Sequence, residues 1–205
     1  MNDTDICMLS SAYFGPIQWY QKLNRHREVL LERHDNFLKQ TFRNRCVIAT
    51  ANGPQALSVP IERYDGPKCC MKDIRVSNHG RWRHVHWNAL VSAYGESPFF
   101  EFLADDIRPF FEKRWDYLFD FNLEITHKLC ELLDIEPSIA LTTHYEAKPS
   151  CLDFREAIRP KRPLPDNDFT PRRYYQVYER KHGFLPNLSI LDLLFNMGNE
   201  AVLYL

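Results

Sequence analysis

The chain has no surplus of charge of either sign. Twenty-six Lys and Arg stand against 27 Asp and Glu, a formal net charge of −1. No broad field therefore draws it to nucleic acid, which is not an expected partner. A long apolar run is also missing. Nothing approaches the roughly 20 residues of a membrane span, so insertion into a bilayer is not expected. The opening MNDTDICMLSSAYF has neither a basic start nor a long apolar core. It is unlike a secretory leader, and the expected location is the cytoplasm. The six cysteines form no CxxC pair. Cys7, Cys46 and Cys130 sit in apolar surroundings as small buried hydrophobes, and Cys69-Cys70 lies beside a Gly-Pro turn as a reduced pair. The catalytic signatures HExxH and GxSxG and the phosphate loops of the Walker and GxGxxG types are absent. Acidic residues are scattered, so no catalytic carboxylate pair can be nominated.

What is present is a 205-residue chain long enough to bury a sizeable core without disulfide or metal, most simply as one domain over 1–205. Residues 6–14 read as a buried strand entering a loop. Gly15-Pro16 breaks the chain, and Ile17, Tyr20 and Leu23 recur at helical spacing. Glu28 to Leu31 suits a second strand. Cys46–Ile48 and Leu57–Val59 flank Asn52-Gly53, a hairpin signal. Asp73–Ser77 alternates like a strand. Trp87–Tyr94 reads as helix, and another starts at Ser97-Pro98 and runs through Ile107. Asp116–Leu133 is the clearest helix, with Asn122 on its apolar face as a core tether or a pocket group. Ile139–Tyr145 is strand-like, and Arg172–Arg180 helical. A last helix is capped at Ser189, with Asp192 three residues on and Gly198 as its stop. Between them, about 146–171 carries five prolines and reads as a long loop or flap. The pattern predicts α/β or α+β: a central sheet fed by an N-terminal strand-loop-helix unit, with a helix-rich C-terminal half.

Candidate chemistry gathers in three stretches. NFLKQTFRNRC, Asn36 to Cys46, packs hydrogen-bond donors between apolar anchors. If helical through Phe42, it sets Lys39 and Arg43 on one face, Asn36 and Gln40 on another, and Phe37 and Leu38 towards the core. Lys39, Gln40, Arg43, Asn44 and Arg45 would then bind an anion, since guanidinium matches phosphate or carboxylate. The alternative is a basic turn pairing with Glu28, Glu32 or Asp35. The first loop, SSAYFGPIQWYQ, offers Ser11, Tyr13 and Gln18 where open sheets bind ligands. In GRWRHVHWNALVSAYGESPFF, Gly80 to Phe100, His86 is a candidate acid/base or a core histidine, and Trp87 and Tyr94 could stack on a sugar or base. His84 and His86 would share a face only on a strand, with no third ligand nearby, so no metal is expected.

The ordered set YFGPIQWYQKL, NFLKQTFRNRC, LSVPI, HWNALVSAYGESPFF and GFLPNLSILDLLFNMG resembles the WbqC-like protein family along nearly the whole chain. Ser11 to Pro16, SAYFGP, stands where other branches carry Gln-Pro-Tyr-Phe-Phe-Pro; Tyr13, Phe14 and Pro16 match. The family takes its name from a gene of surface-polysaccharide (O-antigen) clusters. The resemblance implies a cytoplasmic step in making or modifying an activated sugar, and it transfers no catalytic residue. The expected activity is group transfer on a nucleotide-sugar or similar phosphorylated metabolite, with Lys39, Arg43 and Arg45 on the phosphates and the Pro-rich flap closing over them. The alternative is a non-catalytic binding or scaffold protein of envelope biogenesis. Neither a cofactor nor an oligomeric state is legible.

Overall fold

The computed structural model describes residues 5–205, an α/β arrangement built around two sheets. In the first, β1 (Ile6–Ser10) pairs in parallel with β2 (Glu28–Glu32) on one side and β6 (Leu152–Asp153) on the other. β5 (Ser138–Leu141) extends it beyond β2, giving the order β5-β2-β1-β6. Cys7, Met8 and Leu9 of β1 are all buried, as a parallel strand covered on both faces requires. The second sheet is the hairpin of β3 (Arg45–Thr50) and β4 (Gly53–Ser58). Its turn needs the left-handed backbone that Gly53 supplies, with φ +101°.

The first helix, α1 (Ile17–Arg25), buries Ile17, Tyr20 and Leu23 as their spacing demands, but also Gln18, Gln21 and Lys22. The Pro-rich segment explains the excess, because it lies across α1 rather than over open solvent. Asp166 accepts from Gln18 Nε2 at 2.8 Å and from Lys22 Nζ at 3.0 Å. Lys22 also sits 4.3 Å from the centre of the Phe154 ring. Burial alone would lift the Asp166 carboxyl; the Lys22 and Gln18 hydrogen bonds outweigh it, and the group is held below its ordinary value.

The longest helix, α5 (Leu118–Leu132), turns Leu118, Phe121, Ile125 and Leu129 into the core, each with no exposed surface. Asn122 lies among them as a tether. Its Nδ2 donates to the Arg43 carbonyl at 2.7 Å and to Ser11 Oγ at 3.3 Å, binding the helix to the first loop. Helix α2 (Trp82–Tyr94) begins five residues before the expected start at Trp87, followed by α3 (Phe100–Ile107) and the single turn α4 (Pro109–Glu112). After the short α6 (Glu179–His182), α7 (Ile190–Met197) is capped by Ser189 Oγ, which accepts from Leu191 N. Asp192 does not complete a capping box. Its carboxylate is buried and accepts from Tyr94 and Tyr174 hydroxyls at 2.8 and 2.6 Å. Gly198 ends α7 with φ +55°, and a Cβ there would stand 2.5 Å from the Phe99 ring. Leu205 is tied to α1, because Arg25 Nη2 donates to its carbonyl.

Three expected elements do not form. Asn36–Phe42 is irregular, not helical, because its backbone pairs with a distant segment. Asn36 bridges Cys70, Phe37 N donates to the Cys69 carbonyl, and Gln40 takes φ +62°. Phe37 is buried there, but Leu38 faces outward. Asp73–Ser77 is the end of a 3₁₀ turn (Met71–Asp73) followed by single bridges from Arg75 to Tyr117 and from Val76 to Ile61. Arg172–Arg180 is irregular through Gln176 and turns at Val177-Tyr178 before α6, since Tyr174 and Gln176 are drawn in to the Asp192 carboxylate. The strand expected over Ile139–Tyr145 lies at Ser138–Leu141.

Candidate functional site

All four parallel strands end on the same edge, and β1 has β2 and β5 on one side and β6 on the other. Beyond Ser10 the chain connections diverge, which is where open α/β sheets bind ligands. A cavity of about 270 Å³ opens at this edge, lined by Asp35, Asn36, Arg43, Tyr145, Asp153, Arg155 and Glu156 among others. Behind it, between β1 and β6, a slot of about 10 Å³ touches Ser10, Ser11, Arg43 and Arg155. That is room for about one water molecule.

Two buried guanidiniums organise the edge. Arg43, 4% exposed, donates through Nη2 to Ser10 Oγ at 2.8 Å and to Asp35 Oδ2 in a close ion pair. Its Nη1 reaches Thr41 Oγ1 at 3.5 Å. Burial lifts the Asp35 carboxyl above its ordinary value, and the Arg43 charge opposes that rise without cancelling it. Asp35 Oδ1 and Arg43 Nε are buried and have no hydrogen-bond partner. The second guanidinium, Arg155, binds Asp153 through Nε at 2.9 Å and Nη2 at 2.7 Å. It also reaches Glu32 Oε2 at 3.3 Å and the Glu146 carbonyl at 2.8 Å. Glu32 has no exposed surface, and its Oε1 accepts from Thr142 Oγ1 and His34 N. Arg155 lies 5.3 Å from the Tyr145 ring centre, and that ring is half exposed. The cavity thus offers carboxylate acceptors, guanidinium donors already steered by acids, and one aromatic face.

Of the residues singled out from sequence, Arg43 and Ser11 are brought to this edge. Arg43 meets the first βα corner, where Tyr13 N also donates to the Phe42 carbonyl. Its charge is taken up by Asp35, one of the acids considered as an alternative partner, so it is not a free claw for phosphate. The others are dispersed. Arg45 Nε donates to Ser58 Oγ, and Asn44 Nδ2 to the Val59 carbonyl, closing the β3–β4 hairpin base. Lys39 lines a separate open cavity of about 570 Å³ with Ile61–Pro67. Gln40 is exposed and accepts from Lys161 Nζ. Gln18 is occupied by Asp166 and Asn187.

His86 lies in the core, 4% exposed, its Nδ1 sharing a 2.9 Å hydrogen bond with the Tyr13 hydroxyl. Trp82 and Phe111 close around its ring. Burial pushes its pKa down to about 4 against an opposing hydrogen bond to the Ser58 backbone, so it is neutral at pH 7 and lines no described cavity. Tyr94 is likewise buried, between Asp192 and Ala49 N. Trp87 borders a cavity on the α2 face. His84 and His86 fall on opposite sides of α2, one exposed and one buried. Among the described residues no three His, Cys, Asp or Glu side chains gather into a metal set. No helix is long and apolar enough to cross a membrane among them.

Asp153, Arg155 and Tyr145 were missed from sequence. They sit in or beside the Pro-rich segment, where a two-residue strand leaves no periodicity to read.

The molecule is therefore an α/β protein with a charged crevice at the carboxyl edge of its parallel sheet. It belongs to the WbqC-like protein family, whose profile matches residues 11–158 and so spans β1's exit, β6 and every residue of the crevice. It is similar to "Uncharacterized protein Rv1507c" of Mycobacterium tuberculosis, 26% identical over an alignment of 193 residues, with 82% of this chain and 83% of that one covered. No solved structure matches.

Proposed function

We propose that the sheet-edge crevice binds an activated sugar and that the protein is a group transferase acting on a nucleotide-sugar or similar phosphorylated metabolite, in surface-polysaccharide synthesis in the cytoplasm. The observation that carries this reading is the Asp35–Arg43 pair at the switch point between β1 and β6. Carboxylates of Asp35, Asp153 and Glu156 suit sugar hydroxyls, which donate hydrogen bonds to them. The Arg43 and Arg155 guanidiniums donate to ring and carbonyl oxygens, and the Tyr145 ring gives a stacking face. Asp35 is the acid/base of this reading: its carboxyl, raised by burial, takes the proton that an attacking hydroxyl or amine loses as that atom bonds to the transferred group, while the bond from that group to the phosphate oxygen breaks and the nucleotide leaves with the electron pair. His86 has no part in that step. Membership of the family supports the sugar assignment through the origin of its name.

The test is a panel of nucleotide-linked and free sugars read by thermal shift and calorimetry. At least one nucleotide-sugar should stabilise the protein, by about 2.7 kcal/mol at a hundred times its Kd. Tyr145→Ala, at a half-exposed position, should weaken that binding about tenfold. A panel without any response, together with stoichiometric recovery of a protein partner, would put the scaffold reading in its place.

A further inference from the structure

A second cavity, of about 370 Å³, lies on the α2 face between the start of α2 and the α3–α4 junction. Its wall carries Arg81, Arg83 and Arg108 against one carboxylate, Glu112. Only Arg108 is paired with an acid, by a 2.7 Å contact to that Glu112. Arg83 is wedged over the Trp82 ring at 4.6 Å and donates Nη2 to Asn78 Oδ1, while its Nε is buried with no partner. Burial, and then the nearby charge of Arg114, hold Arg83 below the usual guanidinium value. Trp87 and Phe111 form an apolar floor that keeps water from one side and strengthens any charge interaction above it. α2 starts here with no side-chain cap and no acid in its first turn, so its own dipole adds to the positive field. Like charges drawn together around a hollow, with a buried donor left over, suit an anion.

The geometry points to an anion-binding site on the α2 face, built by Arg81, Arg83 and Arg108, that takes the diphosphate group of a small molecule. Three forked donors facing one carboxylate match a multiply charged anion better than a single carboxylate or monoester. This site stands apart from the sheet-edge reading, since the two cavities share no lining residue.

The experiment is calorimetric titration of the full chain with inorganic diphosphate at low, matched ionic strength. The wild type should bind. The double variant Arg81→Ser/Arg108→Ser, at two exposed positions, should bind at least tenfold more weakly while its urea midpoint stays near that of the wild type. Lys39→Ser/Arg63→Ser, in the separate hollow lined by Ile61–Pro67, should leave the affinity unchanged. No binding by the wild type overturns the assignment. So does equal binding by Arg81→Ser/Arg108→Ser, or an equal loss in Lys39→Ser/Arg63→Ser, which would mark diffuse attraction rather than a site.

Discussion

The sheet edge and the α2 face both collect arginine, and they treat it oppositely. At the edge, Arg43 and Arg155 are buried and each is held by acids: Asp35 for the first, Asp153 and Glu32 for the second. On the α2 face, Arg81 and Arg108 are exposed, and of the three guanidiniums only Arg108 is paired with a carboxylate. A guanidinium taken out of water must be paired, because an uncompensated buried charge costs several kcal/mol. One left at the surface can keep its charge for a ligand. Burial therefore decides which arginines have their charge neutralised by the protein's own acids and which keep an unpaired charge for an anion. Composition cannot show this, since a net charge of −1 hides both arrangements.

The comparison can be broken most severely at Asp35. Asp35→Ala should destabilise the fold by about 3–5 kcal/mol in urea unfolding, since it strands Arg43 in the interior. Arg81→Ala on the α2 face should stay within about 0.5 kcal/mol of wild type in the same assay. Comparable losses at the two positions would remove the distinction between structural and available arginine.

Next in size is the pH response of His86, which is buried on α2 and lines neither cavity. Its folded pKa, about 4, is below the ordinary 6.5, so the folded state binds fewer protons than the unfolded chain between those values. Its contribution is complete above pH 6.5 and fades as pH falls from 6.5 towards 4, by about 3 kcal/mol in all. Urea midpoints measured across that range should fall more steeply for wild type than for His86→Gln, which keeps a polar group but cannot titrate. Parallel curves would show that His86 is more open to solvent than its packing indicates. The diphosphate and Tyr145→Ala titrations sharpen the same contrast, with tenfold effects confined to their own cavities.

Much of the fold could be read from local pattern. β1, the Asn52-Gly53 hairpin and the apolar stripe of α5 each follow from their own residues, because propensity and tertiary packing agree there. Asn36–Phe42, Asp73–Ser77 and Arg172–Arg180 could not, because their conformations are set by partners far away in sequence: Cys69-Cys70, Tyr117 and Ile61, and Asp192. The site divides in the same way. Arg43 stood out by its donor-rich neighbourhood, and Asp35 was visible only as one of three acids within reach. Asp153 and Arg155 were hidden because proline masked the segment that carries them. The donor array expected of Lys39, Arg43 and Arg45 is split by the hairpin, which claims Arg45 through Ser58 while Lys39 points to another hollow.

The most direct test of the account is a crystal structure with the tightest-binding nucleotide-sugar of the panel. The account predicts the sugar beyond the carboxyl end of β1, within hydrogen-bonding distance of Asp35 or Asp153 and against the Tyr145 ring. A sugar bound anywhere else, with the sheet-edge cavity still filled by solvent, would contradict it.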